Sequence, residues 1–318
     1  MYGKTNKGIF EIMKSAIVTG ANGFIGINLI KRLLKENIRV YALVLENENL
    51  KQELLDNNEI SVIRCNLENP DVSGIEIPDN IDVFYHFAWI GVRPEDRKNF
   101  YTQYKNIQMT MNCLYLAKLH KVHRFIMPGS TNEYLYSNAE INSKCIPSPR
   151  DDYGSTKVAL RYLAKQYASD NGIEFIYAVI SGIYSEQRRD NNVISYTIDK
   201  LLKKERPSLT KLEQKWDYVH IDDAVEALYL IGEKGKDGKL YAIGHGDNQP
   251  LSEYIKTISY KIDSSIPLGI GDVPYSSNEL PMSCVELTDL REDTGFEAKI
   301  SFEEGVSRMI ANWKQLES

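Results

Sequence analysis

Cysteine is scarce in this 318-residue chain: Cys65, Cys113, Cys145 and Cys284 are all there is, and no two form a Cys-x-x-Cys pair. That excludes a disulfide-built scaffold and a thiolate zinc ribbon, so free thiols in a reducing cytoplasm and no bound metal are expected. Long hydrophobic runs are missing too. No stretch reaches the length of a membrane span, and the first twelve residues lack the apolar core of a signal peptide. Positive charge is in deficit, with 38 Lys and Arg against 44 Asp and Glu and a net charge of −6. A general nucleic-acid surface is therefore excluded, and an anionic ligand has to be held by local donors rather than by the overall field. Internal repeats and low-complexity tracts are also absent.

What the chain does have is enough apolar content, 42% of residues, to bury a substantial core. Its most informative stretch is TGANGFIG, from Thr19 to Gly26. Ser15-Ala16-Ile17-Val18 reads as a short buried strand before it, and Phe24, Ile25, Leu29, Ile30, Leu33 and Leu34 recur at helical spacing after it. In this strand-turn-helix context Gly20 permits the tight turn, Gly23 lets backbone approach phosphates, and Gly26 lets helix and strand pack closely. Asn22, Phe24 and Ile25 complete the loop. The helix N-terminus offers unpaired N–H groups to an anion, so the stretch predicts a bound dinucleotide.

A second motif, YGSTK, sets Tyr153 and Lys157 four apart on one helical face, after the helix-start signals Pro149, Asp151 and Asp152. An ammonium near a phenol favours the phenolate, so this tyrosine is expected to exchange a proton at neutral pH. A lone Tyr-x-x-x-Lys is usually a solvated helix face. Its value comes from following a dinucleotide loop.

Strands read at Ala16–Thr19, Arg39–Leu43, Ser61–Arg64, Val83–Phe87, Arg124–Pro128 and Glu174–Ile180, with helices between them, the longest Tyr104–Leu119 and Tyr153–Ser169. This alternation predicts an α/β fold, a Rossmann-type doubly wound parallel sheet. After Ile180 the elements shorten, with helices at Ile194–Lys203 and Phe302–Leu316 around a polar loop, Lys204–Lys215. Residues 1–12 read as an upstream start or a disordered extension, 13–180 as the dinucleotide-binding domain, and 181–318 as a smaller, partly interleaved carboxy-terminal substrate lobe.

With these motifs the chain resembles the extended short-chain dehydrogenase/reductase family, the nucleotide-sugar epimerases, dehydratases and 4-ketoreductases. The likeness also rests on HFAW (His86 to Trp89), Asn106 in KNIQMTMN, RFIMPGSTNEY (Arg124 to Tyr134), WDYVHIDDAVEAL (Trp216 to Leu228) and DTGFEAKISFEEG (Asp293 to Gly305). It implies that Asn66 and Leu67 contact adenine, that Phe87, Ala88 and Trp89 line the pyrophosphate and nicotinamide ribose, and that Asn106 belongs to the coenzyme site. Aligning Tyr134 with the family's aromatic puts Ser130 in the catalytic Ser/Thr position beside Tyr153 and Lys157, with Thr131 and Asn132 next to the substrate. The family's acid at the end of the second strand falls on Val44, which points to NADP over NAD, although no arginine replaces it and Glu46 follows closely. His220, Asp222 and Asp223 are expected to be architectural, and the two long helices to form a homodimer's four-helix bundle.

Two departures bear on substrate. Arginines that the family uses against phosphate are here Trp216 and Ser276, which leaves Arg188 and Arg189, with Lys215 and Arg291, as candidate phosphate contacts. The acid pair that follows the hydroxyl in 4,6-dehydratases is here Thr131-Asn132, and Glu133 keeps that activity open only if the register slips; otherwise Glu133 reads as a solvated loop carboxylate. The expected activity is reduction of a nucleotide-linked 4-keto-6-deoxy sugar, with hydride to C4 and Tyr153 as proton donor. Its alternatives are a 4-epimerase with tightly held NAD, a 4,6-dehydratase, and a non-catalytic dinucleotide sensor.

Overall fold

A computed structural model describes residues 12–55, 57–70, 75–135, 139–189, 192–275 and 281–317. Most of the expected amino-terminal extension, and Ser276, lie outside these residues. Six strands alternate with helices along the first half: β1 Ser15–Thr19, β2 Arg39–Val44, β3 Ile60–Arg64, β4 Val83–His86, β5 Arg124–Ser130 and β6 Glu174–Ile180. Between them run α1 Phe24–Leu34, α2 Gln52–Leu55, α3 Phe100–Leu119 and α4 Asp152–Asp170. The strands are near-continuous apolar runs, as a parallel sheet covered on both faces requires.

The remainder of the chain supplies β7 Gly182–Tyr184, α5 Val193–Leu202, β8 Ser208–Leu209, β9 Lys215–Trp216, β10 Tyr218–His220, α6 Ile221–Lys234 and β11 Leu240–Ile243. It ends with β12 Gln249–Pro250, α7 Leu251–Ile262, β13 Gly269–Ile270, α8 Thr288–Thr294 and α9 Phe302–Glu317. The main sheet has seven strands in the order β11-β6-β5-β4-β1-β2-β3, and every pairing within it is parallel. Strand order reverses between β1 and β4, which opens the crevice at the carboxyl edge where such sheets bind ligands.

Residues 181–318 do not stay together. Leu240–Ile243 adds a seventh strand beside β6, and Ala224, Leu228 and Ile231 of α6 join Leu29, Ile30 and Leu33 of α1 in the core under one sheet face. The Arg32 guanidinium pairs with Glu226 across those two helices. Leu114, Leu116 and Ala117 of α3 and Leu160, Ala164 and Ala168 of α4 cover the other face. A third core, with Ile198, Leu201, Tyr254, Ile258, Val306 and Trp313, is made by α5, α7 and α9 and forms the smaller lobe.

Buried polar groups tie the lobes. Asp223 accepts from the Lys299 and Ile300 backbone N–H groups at 3.1 and 2.8 Å, and Asp217 accepts from Ser181, His245 and Gly246. Asp222 lies in the first turn of α6, and His220 caps it while pairing with Glu186 at 3.1 Å. Cys65, Cys113 and Cys284 are buried and Cys145 is half-buried, all four unpaired. Among the described residues no helix is long and apolar enough to cross a membrane, and no three His, Cys, Asp or Glu side chains converge as a metal site.

Candidate active site

β1 delivers Gly20 to the carboxyl edge of the sheet with φ of +65°, and a Cβ there would stand 2.8 Å from the Ala88 nitrogen. A methyl on Gly26 would drive into the Gly20 carbonyl oxygen. Both glycines are therefore dictated by close approach, the first of loop to β4 and the second of α1 to loop. Gly23 is the N-cap of α1 and has no side chain to satisfy the first-turn N–H groups, which face a cavity of about 840 Å³.

On the β2–β3 side this cavity is lined by Val44, Glu48, Cys65, Asn66 and Leu67. Asn22 fixes that side. Its amide donates to Glu48 at 3.2 Å and to the Asn49 carbonyl at 3.0 Å, and its oxygen accepts from the Lys51 N–H at 3.0 Å. Glu46 is exposed and does not line the cavity; the carboxylates that reach it are Glu48, beyond β2, and Glu68, beyond β3. Burial pushes the Cys65 thiol up to about 11, which keeps it protonated.

The β5 side gathers Ser130, Tyr153, Lys157, Trp89 and Arg97. Asp151 caps α4 by accepting from Gly154 N–H at 2.7 Å, which fixes the turn that carries Tyr153, and Lys157 follows one turn later. The Ser130 hydroxyl lies on the cavity wall with the Tyr153 phenol and favours its charged form. The Lys157 ammonium donates to the Pro128 carbonyl at 2.9 Å and lies 3.6 Å over the Trp89 ring, whose N–H is held by Gln103 at 3.0 Å. Trp89 in turn meets Tyr153 edge-on, ring centres 5.7 Å apart.

Electrostatics correct one expectation. Burial raises the Tyr153 phenol above its ordinary value, opposed by the Ser130 hydroxyl and by the positive charge of Arg97. The Lys157 Nζ sits 5.8 Å from the tyrosine ring centre and is turned to Trp89 and Pro128. Burial drives Lys157 itself down to about 7, with the Glu133 carboxylate working against that fall.

Arg97 went unnoticed in the sequence. Its guanidinium stands 5.2 Å over the Tyr153 ring, its Nε donates to the Val92 carbonyl at 3.0 Å, and its own carbonyl accepts the Tyr153 N–H at 3.0 Å. No periodicity marks it, because it belongs to the irregular loop before α3. Glu133 is a second correction. It is fully buried rather than solvated, bonding the Ser130 N–H at 2.7 Å and the Tyr177 hydroxyl at 2.8 Å. The sequence did carry a signal: Ser130-Thr131-Asn132-Glu133 spells a capping box, and one forms here.

The other candidates divide. Phe24, Ile25, Phe87, Ala88 and Arg188 line the cavity together with Gly20, Gly23 and Gly26. The Arg188 guanidinium lies 4.5 Å over the Phe24 ring. Thr131, Asn132, Asn106 and Arg189 are not among the lining residues. Thr131 is buried; Asn106 sits behind the wall, bonding both the N–H and the carbonyl of Ile90; Arg189 packs over Trp313 at 4.5 Å.

Comparison with known proteins follows this geometry. The NAD dependent epimerase/dehydratase family matches residues 16–244, most of the chain. The chain belongs to that family. It is an NAD(P)-dependent oxidoreductase or epimerase of the extended short-chain dehydrogenase type. It is similar to CDP-abequose synthase from Salmonella muenchen, 26% identical over 308 residues that cover 95% of this chain and 99% of the other. It is similar also to dTDP-4-dehydro-6-deoxyglucose reductase from Escherichia coli, 24% identical over 312 residues, 92% of this chain and 96% of the other. The fold of UDP-N-acetylglucosamine 4-epimerase from Methanobrevibacter ruminantium superposes with a TM-score of 0.82 at 19% identity, covering 96% and 100% of the two chains. The loop that these glycines let fold tightly against neighbouring backbone lines the cavity with its N–H groups and fits the dinucleotide this family implies.

Proposed function

We propose that this chain reduces a nucleotide-linked 4-keto-6-deoxy sugar at C4. The observation that carries the reading is the phenol of Tyr153, set on the cavity wall with Ser130 and Lys157 and held above its ordinary pKa by burial. A phenol so held is protonated at neutral pH and ready to donate, which suits reduction, whereas an epimerase needs the phenolate for its first, oxidative step. When bound, the nicotinamide coenzyme supplies the hydride. Ser130 orients the carbonyl oxygen, Tyr153 gives its proton to the oxygen as negative charge develops there, and Lys157 presents its remaining ammonium donors toward the coenzyme ribose. The two relatives named for synthase and reductase activities on CDP- and dTDP-linked sugars support the substrate class. Residues 181–318 would contribute the sugar side of the site, where Arg188 lines the cavity and would flank the substrate.

For the coenzyme, our reading is NAD(H) rather than the NADP suggested by Val44. Glu48, four residues further on, brings a carboxylate to the β2–β3 side of the cavity, where it can accept from a ribose 2′-hydroxyl and would repel a 2′-phosphate. A homodimer through α3 and α4 is supported by Tyr101, Tyr104, Tyr115 and Leu119, which form one exposed stripe on α3 near exposed Tyr162 and Leu163 of α4. The test of the activity is stoichiometry. One NADH lost for each 4-keto-6-deoxy nucleotide sugar consumed is expected; interconversion of two sugars with no loss of added coenzyme would give the site to a 4-epimerase.

A further inference from the structure

Glu133 has 0% of its surface exposed, yet it carries an ionisable carboxyl three residues past Ser130. A carboxylate withdrawn from water is strongly unfavourable unless hydrogen bonds or opposite charge compensate it. One oxygen is compensated, since Oε1 accepts from Ser130 N–H and from the Tyr177 hydroxyl. The other, Oε2, is buried with no hydrogen-bond partner. The positive charges that act on the carboxyl are Lys157 and Arg161, on successive turns of α4, and the Tyr177 hydroxyl that meets Glu133 also reaches the Lys157 carbonyl at 3.4 Å.

The other titratable groups around this pair come from every neighbouring element. Tyr177 of β6 donates to Glu133 itself; Tyr134, which accepts from Arg161 at 2.9 Å, and Tyr153 stand nearby; His86 of β4 faces Lys157. His86 is held neutral near pH 7, pushed down to about 3 by burial and by Lys157, and hydrogen-bonds with Thr19 and Thr110. The three tyrosines are all raised by burial and stay neutral too. Glu133 is thus the acid that acts on Lys157; burial raises it in turn, while its two hydrogen bonds, Lys157 and Arg161 favour its charged form.

We propose that Glu133 is a positioning residue of the active site: its carboxylate holds the Ser130 peptide in register from behind and supplies the buried negative charge that keeps Lys157 an ammonium. This rests on the reading of Ser130, Tyr153 and Lys157 as the catalytic set. Glu133 does not line the cavity, so it acts through those residues and not on the substrate. The sign follows from burial, which lowers Lys157 to about 7 while Glu133 opposes the fall. Ammonium is present below that pH and is lost as pH rises through it. Removing the carboxylate charge moves the loss to lower pH.

Calorimetric titration of the full-length protein with NADH across the neutral range tests this apart from turnover. In the wild type, affinity falls as pH rises through about 7, where the three-donor ammonium becomes an amine. In Glu133→Gln, whose amide oxygen can still accept from Ser130 and Tyr177, the fall moves about one pH unit lower and affinity at neutral pH drops about tenfold. Tyr177→Phe leaves the carboxyl in place but removes a hydrogen bond that favours its charged form, so the fall moves the same way by less; if Glu133→Gln does not fold, this variant decides. A fall at the wild-type pH in the folded variants, with or without a uniform loss of affinity, would overturn the proposal. Tyr153→Phe separates the two claims: full turnover in that variant would remove the catalytic reading, while the calorimetric shift still judges Glu133.

Discussion

The two sides of the one cavity are built on opposite principles. On the β2–β3 side the polar groups lie close to water: half-buried Asn22 joins the exposed Glu48 carboxylate to the Asn49 carbonyl and the Lys51 N–H, and Arg64 donates to the Asn49 side chain at 2.8 Å. On the β5 side Tyr153 and Lys157, with Glu133 behind them, are buried and moved from their ordinary proton affinity, Tyr153 and Glu133 upward and Lys157 downward. Groups that only bind can stay in water. Groups that exchange protons are placed where burial tunes them.

The contrast is broken most severely at Tyr153. Replacing it with Phe should cut kcat by about 10²–10⁴-fold, the span that a positioned acid contributes, with the NADH dissociation constant little changed; equal losses in both would mean the two sides are not separable. Ser130→Ala comes next, with about a 10²-fold loss in kcat from removing one oriented hydrogen-bond donor, read in single-turnover kinetics. Glu48→Gln acts on the other side. It should cost about tenfold in preference for NADH over NADPH, measured as the ratio of dissociation constants, and leave kcat at saturating coenzyme intact. The smallest effect belongs to Arg97→Gln: losing a cation over the ring raises the Tyr153 phenol further, moving its titration to higher pH by about half a unit to one unit in ultraviolet difference spectra.

How much of this could be read in the sequence follows the same division. TGANGFIG and YGSTK are local motifs whose geometry is fixed within a single strand-turn-helix or helical turn, so Gly20, Gly26, Tyr153 and Lys157 stand where their spacing put them. The six strands to Ile180 were legible for the same reason, differing from the structure by a residue or two at their ends, as in β5, which runs on to Ser130. Leu240–Ile243 was not assigned to the main sheet, because nothing local in Leu-Tyr-Ala-Ile tells it to pair with β6 rather than within the smaller lobe. Glu48 and Arg97 come from irregular loops whose course is set by contacts with Asn22 and Tyr153, far off in sequence. Glu133 differs from both. Its Ser-x-x-Glu box was on view, but which way the carboxyl faced depended on Tyr177 arriving from β6.

The measurement that bears most directly on the account is isotope transfer from coenzyme to sugar. With NADH deuterated at the transferable position and a nucleotide-linked 4-keto-6-deoxy sugar, one deuterium per molecule should appear at C4 in the wild type, and far more slowly in Tyr153→Phe. Product formed without deuterium at C4, or at an equal rate in the two proteins, would contradict it.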